Sequence, residues 1–159
     1  MDIWHSLILI LVANAAPVFI SFLVSHRASF PVDFCYRLPD QQRLFGSSKT
    51  WRGLFSACLI TPLVSLLLGY SAVSGLLIAL LAMSGDLFSS FIKRRLKKPS
   101  SSQFLLLDQI PESLLPALMC VFLYQFGLMQ VILIVVIFII MELALSFVLF
   151  RFGIRKRPY

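Results

Sequence analysis

The sequence predicts an all-α integral membrane protein with five transmembrane helices, its N-terminus outside, its C-terminus cytoplasmic, and two functional cytoplasmic loops. Composition is the first reason. Of 159 residues, 59% are hydrophobic and only 13% charged, and mean hydropathy is +0.92, whereas a soluble domain is about 25% charged. The second reason is a series of apolar stretches long enough to approach or cross a bilayer. The third is where the 14 Lys and Arg residues lie. All fall in Arg27–Arg52, Lys93–Lys98 and Arg151–Arg157, and none in the connections Gly69–Ser71 and Phe126–Gln130. The positive-inside rule then puts all three basic segments in the cytoplasm.

A net charge of +7 on a soluble surface would suggest nucleic acid. Here the cations flank apolar spans, so no nucleic-acid partner is expected. Residues 1–159 leave room for a single membrane domain and no separate soluble module. Cys35, Cys58 and Cys120 are odd in number and far apart. They predict neither a disulfide framework nor a zinc site, but buried or idle thiols in a reducing compartment.

The first helix is expected over 3–25. It lacks a basic leading region, so it reads as retained rather than as a cleavable signal. Asn14 and Pro17 fall mid-span and predict a kinked helix whose Asn bonds a neighbouring helix. Residues 26–53 follow as the first cytoplasmic loop, with turns marked by Pro31, Pro39 and Gly46-Ser47. Asp33 and Asp40 are expected to be solvated there. The end of the loop, Phe45-Gly46-Ser47-Ser48-Lys49-Thr50-Trp51-Arg52-Gly53, combines free N–H groups, hydroxyls and two cations at a helix start. Such a start attracts phosphate. Interfacial anchoring, with Trp51 at headgroup level, stands beside anion binding.

Helices over 54–70 and 71–92 form a tight hairpin. At helical spacing Asp86, Ser89, Ser90 and Lys93 share a face. Asp86 lies seven residues before Lys93, roughly 10 Å deeper at about 1.5 Å per residue. A carboxylate at that depth is costly and usually functional, although an Asp–Lys pair holding the helix end is the alternative. The second loop, 93–111, carries the run Lys93-Arg94-Arg95, a Ser-rich turn at Ser100-Ser101-Ser102, and Asp108. Pro111 and Glu112 suit the first turn of a fourth helix over 112–126, which is short for a crossing. The fifth spans 128–150 and contains Glu142, read as functional, neutral and hydrogen-bonded, or paired with Asn14.

Two carboxylates beside a cationic loop can bridge Mg²⁺, which takes one or two carboxylates plus substrate phosphate oxygens. The cations can neutralise charge developing on a transferred group. No Ser-His pair is available, and in-line attack by a lipid phosphate on a nucleotide needs no enzyme nucleophile.

The strings Leu44-Phe45-Gly46-Ser47-Ser48-Lys49-Thr50-Trp51-Arg52-Gly53, Gly85-Asp86-Leu87 through Ser90-Phe91-Ile92-Lys93-Arg94-Arg95-Leu96, and Leu107-Asp108-Gln109-Ile110-Pro111-Glu112 resemble the motifs of the CDP-archaeol synthase family. That family is related to the membrane phosphatidate cytidylyltransferases. The resemblance covers nearly the whole chain. Ser47, Ser48 and the Ser-rich turn after Leu96 are similar to a bacterial-type member.

The resemblance implies Mg²⁺-dependent transfer of CMP from CTP to a membrane lipid phosphate, giving a CDP-lipid and pyrophosphate at the cytoplasmic face of the inner membrane. It implies that Asp86 and Asp108 hold the metal and, with Lys93, form the catalytic set. Gly46, Ser47, Ser48, Lys49, Thr50 and Arg52 would grip CTP phosphates. Arg94 and Arg95, with Lys93, would handle the lipid phosphate or the leaving pyrophosphate. A homodimer is left open. The rival readings are a small membrane transporter or lipid-handling module in which Asn14, Asp86 and Glu142 line a pathway and no nucleotide is consumed, and a relative that has lost catalysis.

Overall fold

The computed structural model describes residues 1–24, 29–99, 104 and 106–151. Its helices are α1 (Ile3–Val24), α2 (Trp51–Leu67), α3 (Ala72–Arg95), α4 (Gln109–Tyr124) and α5 (Leu128–Arg151). Among the described residues the only β-pairing is two isolated bridges, Pro31 with Thr50 and Arg37 with Arg43. Segments α1, α3 and 128–148 of α5 are long and apolar enough to cross a membrane. At 17 and 16 residues, α2 and α4 are shorter.

The all-helical expectation holds, with several ends displaced for local reasons. Helix α2 begins at Trp51 rather than 54, because the Thr50 hydroxyl accepts the Gly53 N–H at 3.2 Å and caps the first turn. It stops at Leu67 rather than 70, and the chain turns at Gly69, whose φ of +81° suits glycine. Helix α4 starts at Gln109, three residues before the expected 112, and ends at Tyr124. Pro111 therefore sits inside the first turn, where its missing N–H costs nothing. Helix α3 runs to Arg95, so Lys93, Arg94 and Arg95 form its last turn and not a loop. The expected loops 26–53 and 93–111 shrink accordingly. Residues 25–28, 100–103, 105 and 152–159, including Arg27, the Ser-rich turn and the basic tail, lie outside the described residues.

Helix α1 packs against every other helix, whereas α2 meets only α1 and α3, and α5 only α1 and α4. One core joins Leu7, Leu9 and Ile10 of α1 to Ile78 of α3, Ala117 and Cys120 of α4, and Val131, Ile134 and Phe138 of α5. The second core is made of small residues, Ala13, Ala57, Ala79 and Ala82, with Met83. Small side chains let helix backbones close in a membrane, where packing rather than the hydrophobic effect drives association. Glycine takes this further. A Cβ at Gly75 would stand 2.6 Å from the Ser65 Cβ and 2.7 Å from the Pro62 Cα. Asn14 does not reach a neighbouring helix as expected; its amide donates to the Ile10 carbonyl of α1 at 3.0 Å.

The first loop is folded. Val32 N–H bonds Lys49 O, Trp51 N–H bonds Phe30 O, and Leu44 N–H bonds Tyr36 O. Asp33, expected in solvent, is 4% exposed and organises the loop. Its carboxylate accepts the Arg43 guanidinium and the backbone N–H groups of Cys35, Phe45 and Gly46. Asp40 pairs with Arg95 of α3 at 2.6 Å, and Arg95 also donates to the Arg43 carbonyl at 2.8 Å. The loop is thereby docked on the end of α3.

Candidate functional site

The site forms where the first loop, the C-terminal half of α3 and the start of α4 converge. Gly85 sets the approach of α3 to α4: a Cβ there would penetrate the Pro111 carbonyl and lie 2.7 Å from the Glu112 nitrogen. No other residue fits that contact without moving α4. It places the next residue, Asp86, against the first turn of α4, where the Asp86 and Glu112 carboxyl groups come within hydrogen-bonding reach. Two carboxyl groups this close need a shared proton or a cation between them. Lys49 supplies a cation, as its ammonium is ion-paired with Asp86 Oδ1.

A second pair lies beside the first. Lys93 Nζ stands 2.8 Å from Asp108 Oδ1, and both side chains are about nine-tenths buried. Asp108 Oδ2 accepts the Phe104 N–H at 3.1 Å. Gln109, also buried, accepts the Leu106 N–H at 2.7 Å through its side-chain oxygen. These bonds hold the chain just before α4. Burial alone would lower the Lys49 pKa, but the carboxylates of Asp86, Glu112 and Asp108 outweigh it and hold that pKa above its ordinary value. Lys49 therefore stays charged, in a field to which three acids contribute.

Several expected site residues meet here: Lys49, Asp86, Lys93 and Asp108. The carboxyl group nearest Asp86, beside its ion pair with Lys49, is nonetheless that of Glu112, which the sequence placed only as a helix-dipole residue. Its signal was the helix register. Gln109, Glu112, Ser113, Pro116, Ala117 and Cys120 are the buried stripe of α4, with helical three- and four-residue steps. A start at 112 hid that stripe's first member. Ser47 and Ser48 occupy an exposed turn at the site's edge. Gly46 gives its N–H to Asp33, and Thr50 receives the Gly53 N–H. Gly53, the last residue of the Lys-Thr-Trp-Arg-Gly string, packs under Pro17 of α1, with 3.1 Å left for a Cβ. Trp51 lies between Phe34 and Phe55 in tilted contacts, with ring centroids 6.1 and 5.9 Å away.

On the far side of the loop, Arg94 is buried and its Nη2 donates to the Pro99 carbonyl at 2.7 Å. Glu142 of α5 lies close enough to Glu112 to act on its charge. The alternative pairing of Glu142 with Asn14 is not the arrangement found for the Asn14 amide, which bonds Ile10.

Among the described residues, no group of three or more His, Cys, Asp or Glu side chains is arranged as a metal cage. Mg²⁺ does not require one, because it retains waters and takes oxygens from substrate phosphates as well as one or two carboxylates. The Asp86–Glu112 pair is an all-oxygen donor set of that kind, already compensated by a cation.

Comparison with known proteins gives a consistent picture. The model of the CarS-like family, CDP-archaeol synthase, matches residues 2–159. A CDP-archaeol synthase of Thermofilum pendens is 42% identical over 104 residues, 62% of this chain and 51% of its own length. The Staphylothermus marinus CDP-archaeol synthase is 34% identical over 71% of this chain and 64% of its own length. With the Sulfolobus acidocaldarius CDP-archaeol synthase the match extends over 155 residues, 94% of this chain and 91% of that protein, at 28% identity. The chain thus spans about half to two thirds of the first two relatives and nearly all of the third. A solved structure, described as giving insight into an intramembrane enzyme for archaeal membrane lipids biosynthesis, superposes with a TM-score of 0.72 at 29% identity. It covers 89% of this chain and 90% of that one.

Proposed function

The chain belongs to the CDP-archaeol synthase family, and from that premise we propose that it is a CTP-dependent cytidylyltransferase converting a membrane lipid phosphate to a CDP-lipid. A lipid phosphate oxygen attacks the α-phosphorus of CTP. The bond from that phosphorus to the bridging oxygen of the β-phosphate breaks, and pyrophosphate leaves with the bonding electron pair. One observation carries this reading beyond the family: the Lys49–Asp86 and Lys93–Asp108 pairs stand where the first loop, α3 and α4 meet. Two ammonium groups offset the charge of phosphate oxygens, and the paired acids hold those ammonium groups in place.

Mg²⁺ would be held by Asp86 with Glu112 or Asp108 and would supply charge neutralisation on the phosphates. The chain's own groups bind and orient. Lys49, just before the Thr50 cap of α2, would grip a CTP phosphate. Lys93 would face the lipid phosphate arriving from the bilayer. The N–H groups and hydroxyls of Ser47 and Ser48, with Arg52 in the first turn of α2, complete a wall that favours anions.

The proposed orientation puts the N-terminus outside and both functional segments in the cytoplasm, where nucleoside triphosphates are. Its support is the confinement of Lys and Arg to one side of the helices. All five helices would then be embedded in the inner membrane, with α2 and α4 close to the lower limit of about 17 residues for a span.

The test is purified protein with labelled CTP, Mg²⁺ and a panel of ether- and ester-linked lipid phosphates. Equal amounts of CDP-lipid and pyrophosphate are expected, lost in Asp86→Asn. Failure of the wild-type protein to consume CTP with any lipid phosphate would overturn the proposal.

A further inference from the structure

Most of the exposed large apolar side chains lie on the helices, where lipid covers them. Phe30, Phe34 and Tyr36 do not. They stand in the first loop, yet they are 70%, 76% and 62% exposed. Aromatic rings bared this close together on one loop mark an interaction surface. We propose that the segment Phe30–Tyr36 is a membrane-binding surface, whose aromatic side chains seat in the headgroup layer of the leaflet bordering the start of α2. This goes beyond the enzymatic reading and does not depend on it. Its one premise is that the helices are embedded in a bilayer.

Continuity with the outer face of α2 identifies the partner as lipid. Phe55, Leu59, Leu63 and Leu66 are exposed at steps of four, four and three along that helix, the spacing of a single face. On a helix embedded in a membrane, an apolar face left open by its neighbours meets lipid. Phe55 contacts Trp51 in the first turn, and Trp51 contacts Phe34, with ring centroids 5.9 and 6.1 Å apart. The apolar face of α2 therefore continues through Trp51 into the loop. Trp51 opens a short helix, at the level where aromatic rings concentrate in membrane proteins. Phe34 lies beside it and shares that level.

The backbone of the turn suits a place with little water. The N–H groups of Val32, Phe34 and Tyr36 are bonded to the carbonyls of Lys49, Pro31 and Asp33 at 2.9, 3.2 and 2.7 Å. That of Cys35 is bonded to the Asp33 carboxylate at 3.1 Å. The same carboxylate is buried against Arg43, so the exposed side of the turn carries rings and not this acid. Open N–H groups or a bare carboxylate would resist entry into the bilayer. Phe34 also has a φ of +46°, in the left-handed region that solvated turns fill with Gly, Asn or Asp. An aromatic residue stands there instead. The surface is tied to the site as well. Phe30 and Val32 are bonded through their backbones to Trp51 and Lys49, so seating the rings in the headgroup layer fixes the segment that carries Lys49.

The experiment places single tryptophans in the full chain, reconstituted in nanodiscs of phosphatidylcholine with a minor share of phosphatidylglycerol. In a Trp4→Phe, Trp51→Phe background, Phe34→Trp and Tyr36→Trp report on the surface, and Gln41→Trp, at an exposed position farther along the loop, reports on water. Lipid brominated near the headgroup end of its chains should quench the emission of Phe34→Trp and Tyr36→Trp by about half or more and leave that of Gln41→Trp nearly unchanged. Aqueous iodide should act in the reverse order. A nitroxide on Cys35, the exposed thiol of the same turn, gives a second reading with both tryptophans in place, in a Cys58→Ala chain whose Cys120 is buried. Its collisions with oxygen, which dissolves in the bilayer, should outnumber those with a water-soluble nickel chelate. Emission of Phe34→Trp and Tyr36→Trp that iodide quenches and brominated lipid does not would overturn the proposal, as would a nitroxide that meets the nickel chelate more often than oxygen. Reporters shielded from both quenchers would overturn it too, because a second copy of the chain or another protein would then cover the rings.

Discussion

Lys49 and Asp86, 37 residues apart in sequence, are ion-paired across the junction between the first loop and α3. The pair connects a loop read as nucleotide-binding to an acid read as metal-binding, so the two roles are coupled. Asp86→Asn should lower kcat by roughly 10²–10³-fold, the loss typical of one charge-stabilising group. Lys49→Met should act mainly on the KM for CTP. The double variant should be less impaired than the product of the single effects, with a coupling of about 0.5–3 kcal/mol. Steady-state kinetics on the four proteins measure this, and simple additivity would show that the pair does not act as a unit.

Gly85 carries the contact between α3 and α4. Gly85→Ala forces a methyl group into the Pro111 carbonyl and against the Glu112 nitrogen, and overpacking of this kind costs about 1–3 kcal/mol. The displacement would fall on the Asp86–Glu112 pair, so activity should drop with stability. Gly127→Ala is the control, because the nearest atom to its Cβ is 3.8 Å away. Thermal unfolding in detergent should separate the two, with Gly127→Ala unchanged.

Much of this was legible in the chain. The five helices follow from apolar runs and from the placement of Lys and Arg, and Lys49, Asp86, Lys93 and Asp108 stand out as charged residues at membrane edges. What was hidden depended on register and long-range closure. The start of α4 at Gln109 brings Glu112 onto the inward stripe, and a proline two residues inside a helix gives no sign of which residue begins it. Asp33 looks like any loop acid until the loop folds back and encloses it with Arg43 and three N–H groups. The pairing of Asp86 with Lys49, rather than with Lys93 on its own helix, requires the loop to dock on α3. That docking is fixed by Asp40 and Arg95, which lie 55 residues apart.

Asp33 should make the first loop sensitive to acid. Burial opposes its ionisation, but the Arg43 guanidinium and the N–H groups of Gly46, Phe45 and Cys35 prevail and hold its pKa below the ordinary carboxylate value. A pKa depressed on folding stabilises the loop fully above the unfolded-state value of about 3.9 and loses that contribution as pH falls through the folded-state value. Trp51 reports on it, lying between Phe34 of the loop and Phe55 of α2. In a Trp4→Phe background, Trp51 fluorescence should be flat from neutral pH down to about pH 5 and change below it. Asp33→Asn, which removes a charge-assisted set worth about 1–3 kcal/mol, should show the low-pH signal at neutral pH.

The last prediction concerns which acid works with Asp86. Sequence alone pairs Asp86 with Asp108, but Asp108 is engaged by Lys93 at 2.8 Å and by the Phe104 N–H at 3.1 Å, while Glu112 faces Asp86 directly. If Asp86 and Glu112 share the cation, Glu112→Gln keeps the shape of the contact and removes one of the two charges that attract Mg²⁺. The Mg²⁺ concentration for half-maximal activity should then rise by about tenfold or more, in line with the 10–100-fold cost of altering groups around a metal, with the KM for CTP–Mg²⁺ saturated protein changed far less. Asp108→Asn weakens the hold on Lys93 and should instead raise the KM for the lipid phosphate. Mg²⁺ titrations of CDP-lipid synthesis in the two variants decide the matter. A large Mg²⁺ shift in Asp108→Asn, with none in Glu112→Gln, would return the second metal-facing role to Asp108 and leave Glu112 as a packing partner of Gly85.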